Sequence, residues 1–268
     1  MRFALGLEYF GSGFCGWQSQ PNGCGIQDAV QSALSKIAKH EVTVVAAGRT
    51  DTGVHAAEQV IHFDTTAERP IGAWVRGPNT SLPQGVAVLW AQPVPSEFHA
   101  RFSAWARCYT YVLLNRSSRP GINHGRVGWY HRPLDECAMA GAAQCLIGRH
   151  DFSAFRSSEC QAKTPIKTLH ELRIERRGEY MAFHFCADAF LHHMVRNLVG
   201  SLVYVGYGRY PAQWIENLMA SKDRSLAAPT FMPHGLYLTR IEYNAGWQLP
   251  QRENSTQANW LQDLALTL

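Results

Sequence analysis

The chain has 268 residues, 46% of them hydrophobic, and a formal net charge of +4, which suits one large domain or two intimate ones and is by itself only a weak pointer to a polyanionic partner. No run of about 18 apolar residues marks a membrane span, and Met1 to Glu8 reads as a strand rather than a leader, so a soluble, cytoplasmic protein is expected. The seven cysteines (15, 24, 108, 137, 145, 160 and 186) are scattered, odd in number and never in a CxxC pair, which argues against a disulfide framework or a zinc site and for a reducing compartment.

Phe3, Leu5, Leu7 and Tyr9 alternate with Ala4, Gly6 and Glu8, so the chain opens on a half-buried strand. The stretch Gly11 to Gln18 reads as a flexible glycine loop; it lacks the Gly-Lys-Ser/Thr ending of a P-loop, which excludes a nucleotide cofactor there. Ile26, Ala29, Val30, Ala33, Leu34, Ile37 and Ala38 follow a helical period. Strands are then expected at Val42–Ala46 and Gln59–Asp64, rich in β-branched residues, with a short helix near Ile71–Arg76 and a strand at Val86–Trp90. The second half repeats this type of pattern. Strands are expected at Cys108–Asn115, Thr168–Arg176, Tyr180–Ala187 and Gly235–Tyr243, and helices at Asp135–Ile147, Leu191–Val205 and Pro211–Ala220.

This order predicts an α+β fold of two similar subdomains sharing a mostly antiparallel mixed sheet flanked by helices. Residues 1–107 form the first, 108–243 the second, and 244–268 a peripheral tail.

Between the second and third expected strands lies Ala47-Gly48-Arg49-Thr50-Asp51-Thr52-Gly53-Val54-His55-Ala56. A mere reversal of direction needs little more than Asn-Gly, whereas this turn carries a carboxylate, a guanidinium, an imidazole and two glycines. On its own it fits a polar turn as well as a catalytic one. Arginines recur beside aromatic rings at Phe98-His99-Ala100-Arg101-Phe102, Trp105-Ala106-Arg107 and Phe152–Arg156; guanidinium groups grip phosphates and rings stack on bases, which is the chemistry of RNA recognition. Tyr109, Tyr111 and Leu113 share one strand face, where a tyrosine at the rim could stack on a base. Arg196 borders the apolar stripe of its helix and calls for a carboxylate partner, for which Asp51 is a candidate. His192 and His193 are adjacent on that helix and so diverge, which argues against a metal site.

These segments together resemble the tRNA pseudouridine synthase A family. Residues 47–56 resemble its GRTDxGVHA signature, and the likeness continues in order through Tyr9–Gln18, Phe98–Ala104, Tyr109-Thr110-Tyr111, His150–Arg156, Phe190–Gly200 and Gly235–Leu238. The chain departs from the family pattern at Phe10, where an aspartate is usual, and at Cys108, where a basic residue is usual. The resemblance implies the pseudouridine synthase fold and a cofactor-free, metal-free isomerase acting on uridines 38 to 40 of the tRNA anticodon stem-loop. Asp51 is then the nucleophile, attacking C6 of the base or C1′ of the ribose. Arg196 pairs with it, and Tyr109 stacks on the target base and takes part in proton removal. Arg49 and Arg101 hold phosphates, Phe98, His99, Ala100 and Phe102 line the RNA path, and His55 braces the turn. A homodimer embracing one tRNA is implied too. A non-catalytic RNA-binding protein and an aspartate-dependent N-glycoside hydrolase remain as alternatives.

Overall fold

The computed structural model describes residues 1–250; the remainder of the expected tail lies outside the described residues. Two compact units emerge among the described residues, Met1–Trp105 with residues 237–250, and Ala106–Leu236. The closing strand, which sequence order assigns to the second half, therefore belongs with the first.

In the first unit, β1 (Arg2–Tyr9) precedes α1 (Ile26–Ala38), β2 (Val45–Ala46), β3 (His55–Asp64), α2 (Ala73–Asn79) and β4 (Val86–Val94). The last strand of the chain, β10 (Leu236–Tyr243), completes the order β4-β1-β3-β10, with β2 also on β3. β1 runs antiparallel to both its neighbours, and β10 runs parallel to β3.

Helix α1 has the bounds that its period predicts, because Ile26, Val30, Ala33, Leu34 and Ala38 form one buried stripe. β1 departs from expectation. Of the alternating residues Ala4, Gly6 and Glu8, the first two are small and buried like the opposite face, and only Glu8 is partly accessible; a side chain on Gly6 would collide with the Trp90 indole. The strand expected at Val42–Ala46 shrinks to two residues, because the Val42 and Val44 amides donate to Ser35 Oγ and Gln31 Oε1 of α1 instead of to a neighbouring strand.

The second unit takes in most of β5 (Ala104–Asn115), then β6 (Gly128–Tyr130), α3 (Glu136–Ala143), β7 (Gly148–Asp151), β8 (Ile166–Arg177), β9 (Tyr180–Ala187), α4 (Met194–Gly206) and α5 (Gln213–Ser221). Its strands run β5-β9-β8-β7, all antiparallel, with β6 added parallel to β5. Helix α3 packs against α4 and β8. The architecture is thus α+β with mixed strand pairing, as expected.

The cysteine expectation is corrected. Cys15 pairs with Cys24, and Cys108 with Cys186, as disulfides. Spacing along the chain could not reveal the second, because Cys108 and Cys186 are brought face to face only by the register of β5 against β9. The cysteine pattern accordingly says nothing about compartment. Among the described residues no helix is long and apolar enough to cross a membrane. The start of the tail is also less peripheral than expected, since the Trp247 ring packs on Phe98 at 5.3 Å.

Candidate active site

The loop bearing Asp51 joins a two-residue strand to β3, so the sheet supplies few of its restraints. Side chains and neighbouring backbone supply the rest. Gln59, fully buried on β3, donates through Nε2 to the Gly48 carbonyl (2.7 Å) and to the Tyr9 hydroxyl (3.3 Å). The Tyr9 and Thr50 hydroxyls are hydrogen-bonded at 2.8 Å. The Trp17 amide donates to the Thr50 carbonyl at 2.9 Å, and the Val54 amide to the Asp51 carbonyl at 3.1 Å. Gly53, at φ +80°, closes the turn in a conformation that favours glycine.

The segment read as a flexible glycine loop is the bed beneath this turn. Residues Gly11–Gly13 form a 3-10 turn. Gly16, at φ +84°, lies so close that a Cβ would stand 2.8 Å from the Thr50 oxygen and 3.1 Å from the Asp51 carbonyl carbon. His55 locks the far side. It is buried between the Phe10 and Tyr237 rings (4.8 and 4.5 Å), and its Nδ1 accepts from the Gly11 amide at 3.0 Å. Asp51 is left half-buried at the turn, with Arg49 and Thr52 exposed beside it.

A second loop of the same unit carries the aromatic-basic run 98–102. Phe98 and Ala100 are fully buried, which corrects their place in the expected RNA path: they hold the loop down. The Phe98 ring meets Tyr243 at 5.3 Å, the Tyr243 hydroxyl donates to the Ala100 carbonyl at 2.6 Å, and the Ala100 amide donates to His62 Nδ1 at 3.1 Å. Burial pushes the His62 imidazole down to about 4, helped by the Arg2 and His99 charges. His99 is also held below its ordinary value by burial and then by Arg2. Its Nδ1 accepts from the Arg101 and Phe102 amides, both at 3.2 Å, and its ring stacks on Phe102 at 4.3 Å. Arg101 lies over the same ring, 5.6 Å from the Phe102 centroid. The outward face of the loop is thus an exposed arginine on an exposed ring, Phe102 being 74% accessible.

In the second unit, Tyr109 lies on β5 opposite Phe185 and is buried, edge-to-face with Phe190 at 5.2 Å. Two residues along, Tyr111 is a core residue. Burial raises its phenol well above the ordinary value, and its hydroxyl donates to the Met232 carbonyl at 2.9 Å. Cys108 is buried in its disulfide, so it offers no substitute for a basic contact.

Arg196 lies in the first turn of α4. Its Nε donates to the Phe231 carbonyl at 2.8 Å while the Phe231 amide returns a bond to the Arg196 carbonyl at 3.3 Å. The helix starts at Met194, three residues later than the period suggests, because His193 takes φ +62°. This overturns the divergence expected of the two histidines: their rings lie side by side, 3.9 Å between centroids.

Sequence reasoning passed over Tyr9, Gly16, Gln59 and His62 as individual actors. The readable signal was a glutamine, a glutamate and two histidines among the apolar residues of the buried strand β3.

A family model described as tRNA pseudouridine synthase matches residues 6–103 and 142–244. These segments contain the Asp51 loop, the 98–102 loop and Arg196; Tyr109 falls between them. The chain is 62% identical over 251 residues to a tRNA pseudouridine synthase A of Thiobacillus denitrificans, covering 94% of this chain and 96% of that one. It is 57% identical over 257 residues to a tRNA pseudouridine synthase A of Methylobacillus flagellatus (96% and 98% covered). With that of Nitrosomonas eutropha it shares 56% over 250 residues (93% and 90% covered).

Proposed function

The chain belongs to the tRNA pseudouridine synthase family, and from that premise we propose that it isomerises uridine to pseudouridine at positions 38 to 40 of the tRNA anticodon stem-loop, with Asp51 as nucleophile and without a cofactor. The observation that carries this reading is the mount of Asp51: a half-buried carboxylate on a turn fixed by buried hydrogen bonds and a glycine bed. A carboxylate meant only to cap a turn needs no such foundation.

The reaction moves a glycosidic bond. The N1–C1′ bond breaks, the base turns, a C5–C1′ bond forms, the C5 proton leaves and N1 gains one. No electrons are gained or lost, so the chemistry asks for a nucleophile, a proton acceptor and a held base. An ionised Asp51 attacks C6 of the base or C1′ of the ribose. Reaching either atom requires the uridine to leave the stack. Arg196, pinned by Phe231, is the cation proposed to pair with Asp51. Tyr109 stacks on the extruded base and takes part in removing the C5 proton. Arg49 and Arg101 take backbone phosphates, with Phe102 and His99 beside Arg101. The enzyme works on cytoplasmic tRNA as a homodimer whose subunits share one tRNA.

The test uses unmodified tRNA tritiated at uridine C5. The wild-type protein releases tritium and forms pseudouridine, while Asp51→Ala releases none yet still binds tRNA. Full activity in Asp51→Ala would remove the nucleophile assignment. Binding without release by the wild type would make the protein a non-catalytic RNA binder, and free uracil would make it a hydrolase. Light scattering of the free protein reads the dimer directly.

A further inference from the structure

We propose that Tyr9, Thr50 and Gln59 are positioning residues for the reaction, a buried hydrogen-bond relay that sets where the backbone on the upstream side of Asp51 stands. The proposal deepens the functional reading above and rests on it for the identity of the nucleophile.

Gln59 Nε2 donates to the Gly48 carbonyl and to the Tyr9 oxygen, and the Tyr9 hydroxyl, with its single proton, is hydrogen-bonded to Thr50 Oγ1, 2.8 Å away. Burial pushes the Tyr9 phenol up to about 12, so it keeps that proton at every working pH. The chain Gln59 to Tyr9 to Thr50 therefore ties the loop at residues 48 and 50, and the Trp17 amide ties the carbonyl that leads into Asp51. Tyr9 itself lies where β1 slips register against β3, between Leu7 and Tyr9, the kind of irregularity that re-aims a side chain.

Two features separate this relay from ordinary core packing. All three side chains are buried, with Gln59 wholly inaccessible, and Gln59 Oε1 has no hydrogen-bond partner among the described residues. A core selected for stability alone would not keep a polar group whose acceptor is desolvated with nothing returned. Its donor, however, holds Gly48, and a displacement of about 1 Å at a nucleophile can cost about a hundredfold in rate.

The experiment measures single-turnover pseudouridine formation, tRNA affinity and thermal unfolding for Tyr9→Phe, Thr50→Val, Thr50→Ser and the double variant Tyr9→Phe/Thr50→Val. Tyr9→Phe and Thr50→Val should each slow the chemical step by about tenfold or more while leaving the tRNA Kd within about twofold. Thr50→Ser, which keeps the hydroxyl, should recover most of the rate, and the double variant should be little worse than the slower single one. Hydrogen exchange of the peptide spanning 47–54 should quicken in Tyr9→Phe, a readout independent of activity. Rates within about twofold of wild type, losses that track affinity and unfolding together, or unchanged exchange would overturn the relay. An inactive wild type would instead overturn the functional reading, with the exchange measurement still deciding the relay.

Discussion

Lowering the pH should unfasten the 98–102 loop through one side chain, His62. In the folded protein this imidazole is 4% exposed and stays neutral down to about 4, whereas in the unfolded chain it takes a proton near its ordinary value of about 6.5. Between these values the unfolded state binds the extra proton. The stability that depends on neutral His62 is therefore fully present above about pH 6.5 and is lost as pH falls toward about 4. The interval is worth about 3 kcal/mol in all, and about 2 kcal/mol of it is gone by pH 5. The local consequence follows from geometry: a protonated Nδ1 cannot accept from the Ala100 amide, which it now does at 3.1 Å. Urea unfolding of wild type and His62→Asn at pH 7.5, 6.5 and 5 measures the effect. Asparagine can accept from the same amide but does not titrate, and His99 is present in both proteins, so the difference isolates His62. Wild type should lose about 2 kcal/mol more than the variant over this range, with faster hydrogen exchange at residues 98–103. Parallel pH curves would refute the reasoning.

Gly16→Ala pays the left-handed penalty of about 1–2 kcal/mol and also drives a Cβ into the backbone of Thr50 to Thr52, while Gly23→Ala, also at positive φ but with nothing within 4 Å, pays only the first. Activity assays should show the first variant far less active and the second near normal; equal losses would show that the bed under Asp51 is not what matters. Arg101→Ala should weaken tRNA binding and lower the slope of log K against log salt by about 0.7–0.9, and an unchanged slope would remove its phosphate contact. Alkylation followed by mass spectrometry should label Cys137, Cys145 and Cys160 before reduction and all seven cysteines after it. Cys160 should outpace Cys145. Burial opposes ionisation at both, but at Cys160 the His192 and Ala162 amides and Arg156 outweigh it and hold the thiol below its ordinary value, whereas burial and Glu216 push Cys145 up.

What the sequence made legible is what local chemistry controls. Helix α1 is recovered to the residue because one apolar stripe serves one buried face. For Asp51, Tyr109 and Arg196 local chemistry left a structural role open, and their proposed roles came from the resemblance of their segments to the family. The misses arise where partners distant in sequence decide. Val42 and Val44 read as strand, yet their amides are claimed by α1. Cys108 meets Cys186 across 78 residues of chain. The start of α4 was displaced by one left-handed residue, His193, which no periodicity announces. Strands β6 and β7 are three and four residues long, too short to show a period.

β3 shows how the first unit converts a buried strand into placed chemistry. It runs between β1 on one side and β10 and β2 on the other, and all of it except Asp64 is buried. Three of its polar side chains each tie down a different loop: His55 takes the Gly11 amide, Gln59 holds the Gly48 carbonyl, and His62 takes the Ala100 amide. A two-residue period puts His55 and Gln59 on one face and His62 on the other. The loop proposed to carry the nucleophile and the loop proposed to meet the RNA backbone are thus pegged to the same rigid strand from opposite faces. Loops held only by their own turns would drift independently. Loops fastened to one strand keep a fixed relation, which is what attack on one atom of an extruded base demands.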